Sequence, residues 1–169
     1  MKKKIFLAGA GGMLGEAFYH EFLSDYELYC TDKDVNEKWL NFLNFCDKEE
    51  YKSQVFKFRP DYLFHLGAFT DLEYCEKHKI ETIKTNTESV ISAVEISNHL
   101  KIPLLYISTA GIFDGRKDFY DETDLPKPIG VYASSKYEAE KYVVKNSKKY
   151  LVCRAGWMMG GGPKKDKKF

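Results

Sequence analysis

The chain has 169 residues, 44% of them hydrophobic, and a formal net charge of +1. This length suits one domain with a substantial core, and the near-neutral charge gives no general attraction for nucleic acid or anionic membranes. The apolar run near the N-terminus is too short for a signal peptide, and no segment is long enough to span a bilayer. The four cysteines have neither metal-type nor redox-type spacing, which indicates free thiols. We therefore expect a cytoplasmic protein without a metal site, and we interpret the lysine runs at 2–4 and between 164 and 168 as solvated surface.

The first part of the chain combines a short apolar strand, a glycine-rich turn and a helix. Apolar residues up to Ala8 predict the strand, and helical spacing of apolar residues predicts the helix over Leu14–Leu23. Between them, Gly9 permits a tight turn, Gly12 lets a backbone approach a pyrophosphate, and Gly15 lets the helix pack closely on the strand. The pyrophosphate would lie at the helix N-terminus, where free N–H groups favour an anion. This pattern predicts a dinucleotide site; the alternative is a glycine-rich loop with only a connecting role.

Strands and helices alternate along the rest of the chain. Further strands are predicted at Glu27–Thr31, Tyr62–Leu66 and Leu104–Ile107, and further helices at Lys48–Phe58, from about Ile80 to Leu100, and from Tyr132 to about Val144. Such alternation predicts an α/β fold with a doubly wound parallel sheet, a Rossmann-type domain covering residues 1–169. Ligands bind at the carboxyl ends of the strands in these sheets. Gly9, Asp32, Gly67 and Thr109 all follow or end strands, so we expect them at one edge. His65, inside an apolar strand, is interpreted as structural.

Asp32 ends the second predicted strand. An acidic side chain there can accept hydrogen bonds from the adenosine ribose hydroxyls, and it would repel a 2′-phosphate. Asp32 therefore favours NAD over NADP, although Lys33 directly after it leaves NADP open. The alternative is a simple turn aspartate, because Asp32–Asp34 is also a turn-like sequence.

Tyr132 and Lys136 are four residues apart in a predicted helix, so they project from one face. An ammonium near a tyrosine favours the phenolate and brings the tyrosine pKa toward neutral pH. Thr109 could hold the same substrate oxygen, and the three groups suit reduction of a carbonyl by a nicotinamide. Two other pairs have this spacing, so context selects the site: Tyr29 with Lys33, and Tyr137 with Lys141.

The glycine turn, the segment Ser108–Gly115 and the Tyr132/Lys136 pair resemble, in this order, the extended short-chain dehydrogenase/reductases. Within them the similarity is to the group that contains dTDP-4-dehydrorhamnose reductase and related sugar-nucleotide enzymes. Arg59–Asp61 and the segment from Arg154 to Trp157 also resemble that group. Ala110 and Gly111 differ from it, because the reductase motif has aspartate and tyrosine there.

The resemblance implies a role for each matching residue. Thr109 would be the active-site hydroxyl, Tyr132 the acid and Lys136 the lysine that binds the nicotinamide ribose. The expected cofactor-binding positions are Gly9, Gly12, Met13, Leu14, Gly15, Asp32, Asn44, Phe45, Leu66, Gly67, Ala68, Tyr132 and Lys136.

The implied function is reduction of a nucleotide-linked keto-sugar with NAD or NADP. Two alternatives stay open: an epimerase or dehydratase of sugar nucleotides, and a non-catalytic binding module similar to the regulatory β subunit of methionine adenosyltransferase. A homodimer is a further possibility. In the extended family a C-terminal region forms much of the sugar-nucleotide pocket. Since the sequence ends with the segment Gly160–Phe169, we expect that this substrate region is missing.

Overall fold

A parallel β-sheet forms the centre of the computed structural model, which describes residues 1–160. The C-terminal lysine run and most of the segment 160–169 therefore lie outside the described residues. The strands are β1 (Lys4–Ala8), β2 (Glu27–Asp32), β3 (Leu40–Phe42), β4 (Tyr62–His65), β5 (Leu104–Thr109) and β6 (Tyr150–Ala155). Their order in the sheet is β3-β2-β1-β4-β5-β6, and every neighbouring pair is parallel.

Helices cover both faces of this sheet. They are α1 (Met13–Phe22), α2 (Lys48–Phe58), α3 (Leu72–Lys77), α4 (Lys79–Ile83), a π-helical turn (Lys84–Glu88), α5 (Ser89–Leu100) and α6 (Gly130–Asn146). Helix α1 packs on one face, while α2, α5 and α6 pack on the other. The predicted doubly wound, Rossmann-type architecture is confirmed.

Strand β1 lies at the centre and is buried on both sides. Ile5 and Leu7 join the apolar cluster beneath α1, whereas Phe6 and Ala8 join the larger cluster beneath α2, α5 and α6. A central parallel strand reads as a continuous apolar run because both of its faces are covered. For this reason the first strand was recognisable from the sequence.

Three elements, β3, β6 and α3, have no counterpart in the sequence-based prediction. None of the six residues of strand β6 is buried, and its first two are exposed. Strand β3 has three residues, and two of them are exposed, so it carries little apolar pattern. Helix α3 has six residues and depends on an N-cap, in which the Asp71 carboxylate accepts a hydrogen bond from Tyr74 N–H (2.9 Å). The predicted helix from Ile80 to Leu100 is present, but a π-helical turn interrupts it.

His65 lies in the core, fully buried, and joins α2, β4 and α5. Its Nδ1 is 3.1 Å from the Tyr51 hydroxyl and its Nε2 is 3.1 Å from the Ser89 hydroxyl. Burial lowers the His65 pKa to about 3, so the ring is neutral near pH 7. The structure thus agrees with a structural histidine.

Three further properties follow from the described part of the chain. The four cysteines are free thiols. Within residues 1–160, no helix is both long and apolar enough to cross a membrane. The same residues contain no group of three or more histidine, cysteine or acidic side chains that could hold a metal ion.

The turn after β1 crosses the segment after β4 at very short range. Gly9 has a φ of +79°, and a Cβ atom there would lie 2.2 Å from the Cα of Gly67. Leu66 N–H and Gly67 N–H both donate to the Ala8 carbonyl (2.9 and 3.2 Å). No side chain fits at Gly9, because both its backbone conformation and its surroundings exclude a Cβ.

We expect Gly9→Ala to lower the free energy of unfolding by about 3 kcal/mol, because it combines a disfavoured φ with a backbone clash. Urea denaturation followed by circular dichroism measures this loss.

Gly12→Ala is the matched control, since a Cβ at Gly12 would meet nothing within 4 Å and its φ is −78°. Its free energy of unfolding should fall by no more than about 1 kcal/mol, the cost of alanine in place of glycine at a helix N-cap. Equal losses for both variants would contradict the crossing.

Candidate functional site

Helix α1 begins with an open N-terminus. Gly12 is its N-cap residue, and no side chain caps this end in the described part of the chain. The space that a Cβ would occupy at Gly12 is empty to 4 Å. The first N–H groups of a helix have no partner within the helix, and together with the helix dipole they attract anions. This end of α1 can therefore receive a phosphate group, with Met13 and Leu14 in its first turn.

Gly15 lies one turn further along α1 and faces the glycine turn. A Cβ there would be 2.3 Å from the Ala10 carbonyl oxygen. The residue is buried, so α1 rests directly on the turn that precedes it. The sequence predicts close packing of the helix on the strand at this glycine, and the structure places the contact at Ala10, two residues after the end of β1.

Asp32 has a role that the sequence did not reveal. Its carboxylate accepts a hydrogen bond from Gly11 N–H (2.9 Å) and another from Asp34 N–H (3.1 Å). A Cβ at Gly11 would lie 2.8 Å from the Asp32 carboxyl carbon, so the two residues are in tight contact. Asp32 thus holds the glycine turn against the end of β2. Each carboxylate oxygen can accept a further bond, which leaves capacity for ribose hydroxyls.

The Phe45 ring packs against Gly67, just after the end of β4. A Cβ at Gly67 would lie 2.3 Å from Cε1 of the Phe45 ring, and the ring meets His65 edge to face at 5.1 Å between centroids. Phe45 itself is 8% exposed and belongs to the core. The Asn44 side chain bonds within its own turn, where its oxygen accepts a hydrogen bond from Cys46 N–H (3.2 Å). The structure therefore brings Phe45 against Gly67, next to Leu66 and Ala68, and keeps Asn44 in its own turn.

Thr109 and Tyr132 meet at the carboxyl end of β5. Thr109 is the last residue of β5, and Tyr132 lies in the first turn of α6. Burial raises the pKa of Tyr132, and the nearby Thr109 hydroxyl opposes this effect. The phenol is consequently protonated near neutral pH, as a proton donor must be.

Lys136 is buried one turn further along α6. Its Nζ lies 4.4 Å from the centroid of the Tyr106 ring, on the β5 side of the helix. Burial lowers the Lys136 pKa to about 7, and attraction to Glu140 opposes this shift. The lysine ammonium also lowers the pKa of His65.

The expected effect of Lys136 on Tyr132 is not seen. Burial dominates the Tyr132 pKa and raises it, with Thr109 and Cys75 as the other contributors. The physical reason is that burial lowers the Lys136 pKa to about 7, so the lysine is already neutral in the pH range in which the Tyr132 phenol titrates; its Nζ lies over the Tyr106 ring. The sequence spacing correctly predicts a shared helix face, but it cannot predict where the end of a long side chain lies.

Asn86 is a further residue that sequence reasoning missed. It lies fully buried in the π-helical turn, and its side chain bonds Phe69 N–H (2.8 Å), the Phe69 carbonyl (3.0 Å) and the Ser135 hydroxyl (3.1 Å). Thr87 adds a bond to the Ser135 carbonyl (2.8 Å). These bonds connect the segment after β4 to the helix that carries Tyr132 and Lys136. The one indication in the sequence is that a polar asparagine lies on the side of the predicted helix that carries buried residues.

Glu76 fixes the start of α6. Its carboxylate accepts a hydrogen bond from Val131 N–H (2.6 Å), one residue before Tyr132. A Cβ at Gly130 would lie 2.7 Å from the same carboxylate oxygen. The first turn of α6 is therefore attached to α3, the helix that was absent from the sequence-based prediction.

Comparison with known families identifies one that covers almost the entire chain. The family described as the RmlD substrate binding domain matches residues 2–169. Among curated proteins, dTDP-4-dehydrorhamnose reductase of Aggregatibacter actinomycetemcomitans is 27% identical over 93% of the chain and 52% of its own length. Methionine adenosyltransferase 2 subunit beta of Danio rerio is also 27% identical, over 94% of the chain and 49% of its own length. The chain thus spans about half the length of the curated relatives it matches.

Solved structures agree with the fold. The dTDP-4-dehydrorhamnose reductase of Yersinia enterocolitica has a TM-score of 0.86 and 32% identity, over 99% of the chain and 57% of its own. The enzyme of the same name from Bacillus anthracis, in complex with NADP, has a TM-score of 0.86 and 29% identity, over 95% and 55%. The resemblance to the extended short-chain dehydrogenase/reductases is confirmed. Because the family model matches residues 2–169, the chain belongs to the RmlD substrate-binding-domain family.

Proposed function

We propose that this chain binds NAD or NADP and reduces a nucleotide-linked keto-sugar, in the manner of a dTDP-4-dehydrorhamnose reductase. The observation that carries the proposal is that Thr109, at the end of β5, and Tyr132, in the first turn of α6, lie close enough to interact at the same sheet edge as the open start of α1. Relatives named dTDP-4-dehydrorhamnose reductase support the same substrate class.

The residues present fit a dinucleotide. The uncapped start of α1 and the empty space at Gly12 would hold the pyrophosphate through backbone N–H groups. Asp32 would accept the adenosine ribose hydroxyls with its remaining lone pairs, and Lys136 would donate to the nicotinamide ribose. When bound, the nicotinamide supplies a hydride for the substrate carbonyl.

Tyr132 and Thr109 would act on the substrate oxygen. The Thr109 hydroxyl orients the carbonyl, and the Tyr132 phenol donates the proton that neutralises the developing alkoxide. Because burial keeps the phenol protonated near pH 7, Tyr132 is ready to donate rather than to accept. Partial burial of both side chains also limits access of water to this proton transfer.

A non-catalytic binding module is the second candidate. The similarity to methionine adenosyltransferase 2 subunit beta, at the same identity as the reductase, favours it. An epimerase is a third possibility, supported by a UDP-glucose 4-epimerase structure from Thermotoga maritima at 25% identity and a TM-score of 0.78. The three candidates differ in how they use NAD(P)H. A reductase consumes NAD(P)H in proportion to the product formed, and an epimerase ends each cycle with its cofactor unchanged. A binding module converts no substrate.

Gly12→Ala should weaken binding of NADH or NADPH by about tenfold or more, since its methyl group occupies the space for the pyrophosphate. Isothermal titration calorimetry measures the Kd. Ala17→Ser adds one heavy atom to an exposed position of the same helix and should leave the Kd unchanged. If neither cofactor binds the parent chain, the proposed function is wrong.

Asp32→Asn should reduce the preference for NADH over NADPH by about tenfold, because it removes the charge that repels a 2′-phosphate. An amide oxygen can still accept from Gly11 N–H, so the glycine turn keeps one of its bonds. Asp34→Asn removes an equal charge two residues away and serves as the control. A ratio of Kd values that is the same in both variants would contradict the role of Asp32.

Tyr132→Phe should lower the rate of keto-sugar reduction by about 10²–10⁴-fold, because it removes the proton donor. The loss of NAD(P)H absorbance measures the rate, and the cofactor Kd should change little. Tyr137→Phe removes a hydroxyl from the same helix and should retain activity. Unchanged turnover in Tyr132→Phe would exclude this mechanism even if the cofactor binds.

A further inference from the structure

Helix α6 carries three polar residues at four-residue spacing on its inner face. Tyr132, Lys136 and Glu140 follow one another along this face, and the last two are 3% and 4% exposed. The functions considered above use Tyr132 and Lys136 but give Glu140 no role. A carboxylate so far from water needs partners, because burying an unpaired charge is strongly unfavourable.

Glu140 is held by two neighbouring strands. The Ser108 hydroxyl, on β5, donates to Oε2 at 2.5 Å. Arg154, on β6, donates to Oε1 through Nε (3.1 Å) and Nη2 (2.7 Å). Ser108 directly precedes Thr109, so the same carboxylate connects α6 to the strand end that carries the active-site hydroxyl.

Glu140 lies one helical turn after Lys136 on the same buried face of α6, so its carboxylate charge favours the lysine ammonium. This attraction opposes the cost of burying the ammonium. The other titratable groups facing Lys136 come from the sheet: His65 on β4 and Tyr106 on β5. Burial lowers the His65 pKa to about 3 and raises the Tyr106 pKa well above its usual value, so both are uncharged near neutral pH.

We propose that Glu140, anchored by Arg154 and Ser108, is a positioning residue that keeps Lys136 protonated for contact with the cofactor ribose. The contact with the ribose rests on the proposed function; the effect on Lys136 does not. Arg154 has the opposite influence, because its guanidinium neutralises part of the carboxylate charge that Lys136 would otherwise experience. Glu140 and Arg154 together set the fraction of Lys136 that is protonated near pH 7.

The Glu140 and Arg154 charges are expected to move the titration of Lys136 in opposite directions. Lys136 is charged below its pKa and neutral above it. Removing the Glu140 charge makes the ammonium less stable, so its titration moves to lower pH. Removing Arg154 leaves the carboxylate charge less compensated, and the titration moves to higher pH.

Heteronuclear NMR of the Lys136 side chain, in the full chain without cofactor, tests this inference. Glu140→Gln keeps the shape and a hydrogen-bond acceptor, and it should lower the titration midpoint by about one pH unit. Arg154→Met should raise the midpoint. Glu138→Gln removes an exposed carboxylate that bonds Lys141 on the same helix, and it should have no effect.

A midpoint that is the same in Glu140→Gln and Glu138→Gln would overturn the inference. If Glu140→Gln does not fold, a midpoint in Arg154→Met that is unchanged or lower would overturn it equally.

Binding of NADH across the pH range separates this inference from the proposed function. Midpoints that move as expected without any NAD(P)H binding would support the role of Glu140 in charging Lys136 and overturn the proposed function. NAD(P)H binding whose pH dependence is identical in Glu140→Gln and the parent chain would overturn the inference alone.

Discussion

The near-contact between Gly9 and Gly67 is the constraint on which the site depends. It joins the ends of β1 and β4 so closely that Gly9 cannot accommodate a Cβ, and at Gly67 a Cβ would lie 3.2 Å from the Cα of Gly9 and 2.3 Å from the Phe45 ring. The glycine turn then leads straight into α1, whose uncapped start lies at the same edge as the ends of β2 and β5. Parallel strands place all their carboxyl ends at one edge, and this crossing brings the central two together. The start of α1 and Thr109, at the end of β5, consequently lie at one edge of the sheet.

Polar groups at this edge are held mostly by bonds that cross between elements. Asp32 holds the glycine turn, Asn86 connects the segment after β4 to α6, and Glu140 connects α6 to β5 and β6. Asn86 and Glu140 are buried, so their bonds avoid the penalty of a buried polar group without a partner, which is large relative to the stability of a small domain. The same bonds fix the relative positions of Thr109, Tyr132 and Lys136.

Much of the fold was predictable from the sequence, because central parallel strands are apolar throughout and the long helices have clear periodicity. The glycine turn and the pair Tyr132 and Lys136 were recognisable for similar reasons of spacing. Strands β3 and β6 and helix α3 were not. A three-residue strand and a six-residue helix depend on long-range pairing and on caps, and β6 has no buried residue that would give it an apolar pattern. The direction of the Lys136 side chain, the bond from Asp32 to Gly11 and the contacts of Asn86 arise only after distant segments pack together.

The π-helical turn at Lys84–Glu88 has a geometric consequence for the two helices that it joins. A single additional residue within a helix rotates everything after it by about 100° relative to everything before it. Helix α5 can therefore direct its apolar side toward the sheet while Asn86, just before it, faces Phe69 and α6. Deleting one residue from this turn would restore a regular helix, and it would also turn the sheet-packing side of α5 away from the sheet. The π-helical turn thus changes the direction in which side chains point along one continuous helix. Asn86 within it faces Phe69 and α6, whereas the apolar side of α5 faces the sheet.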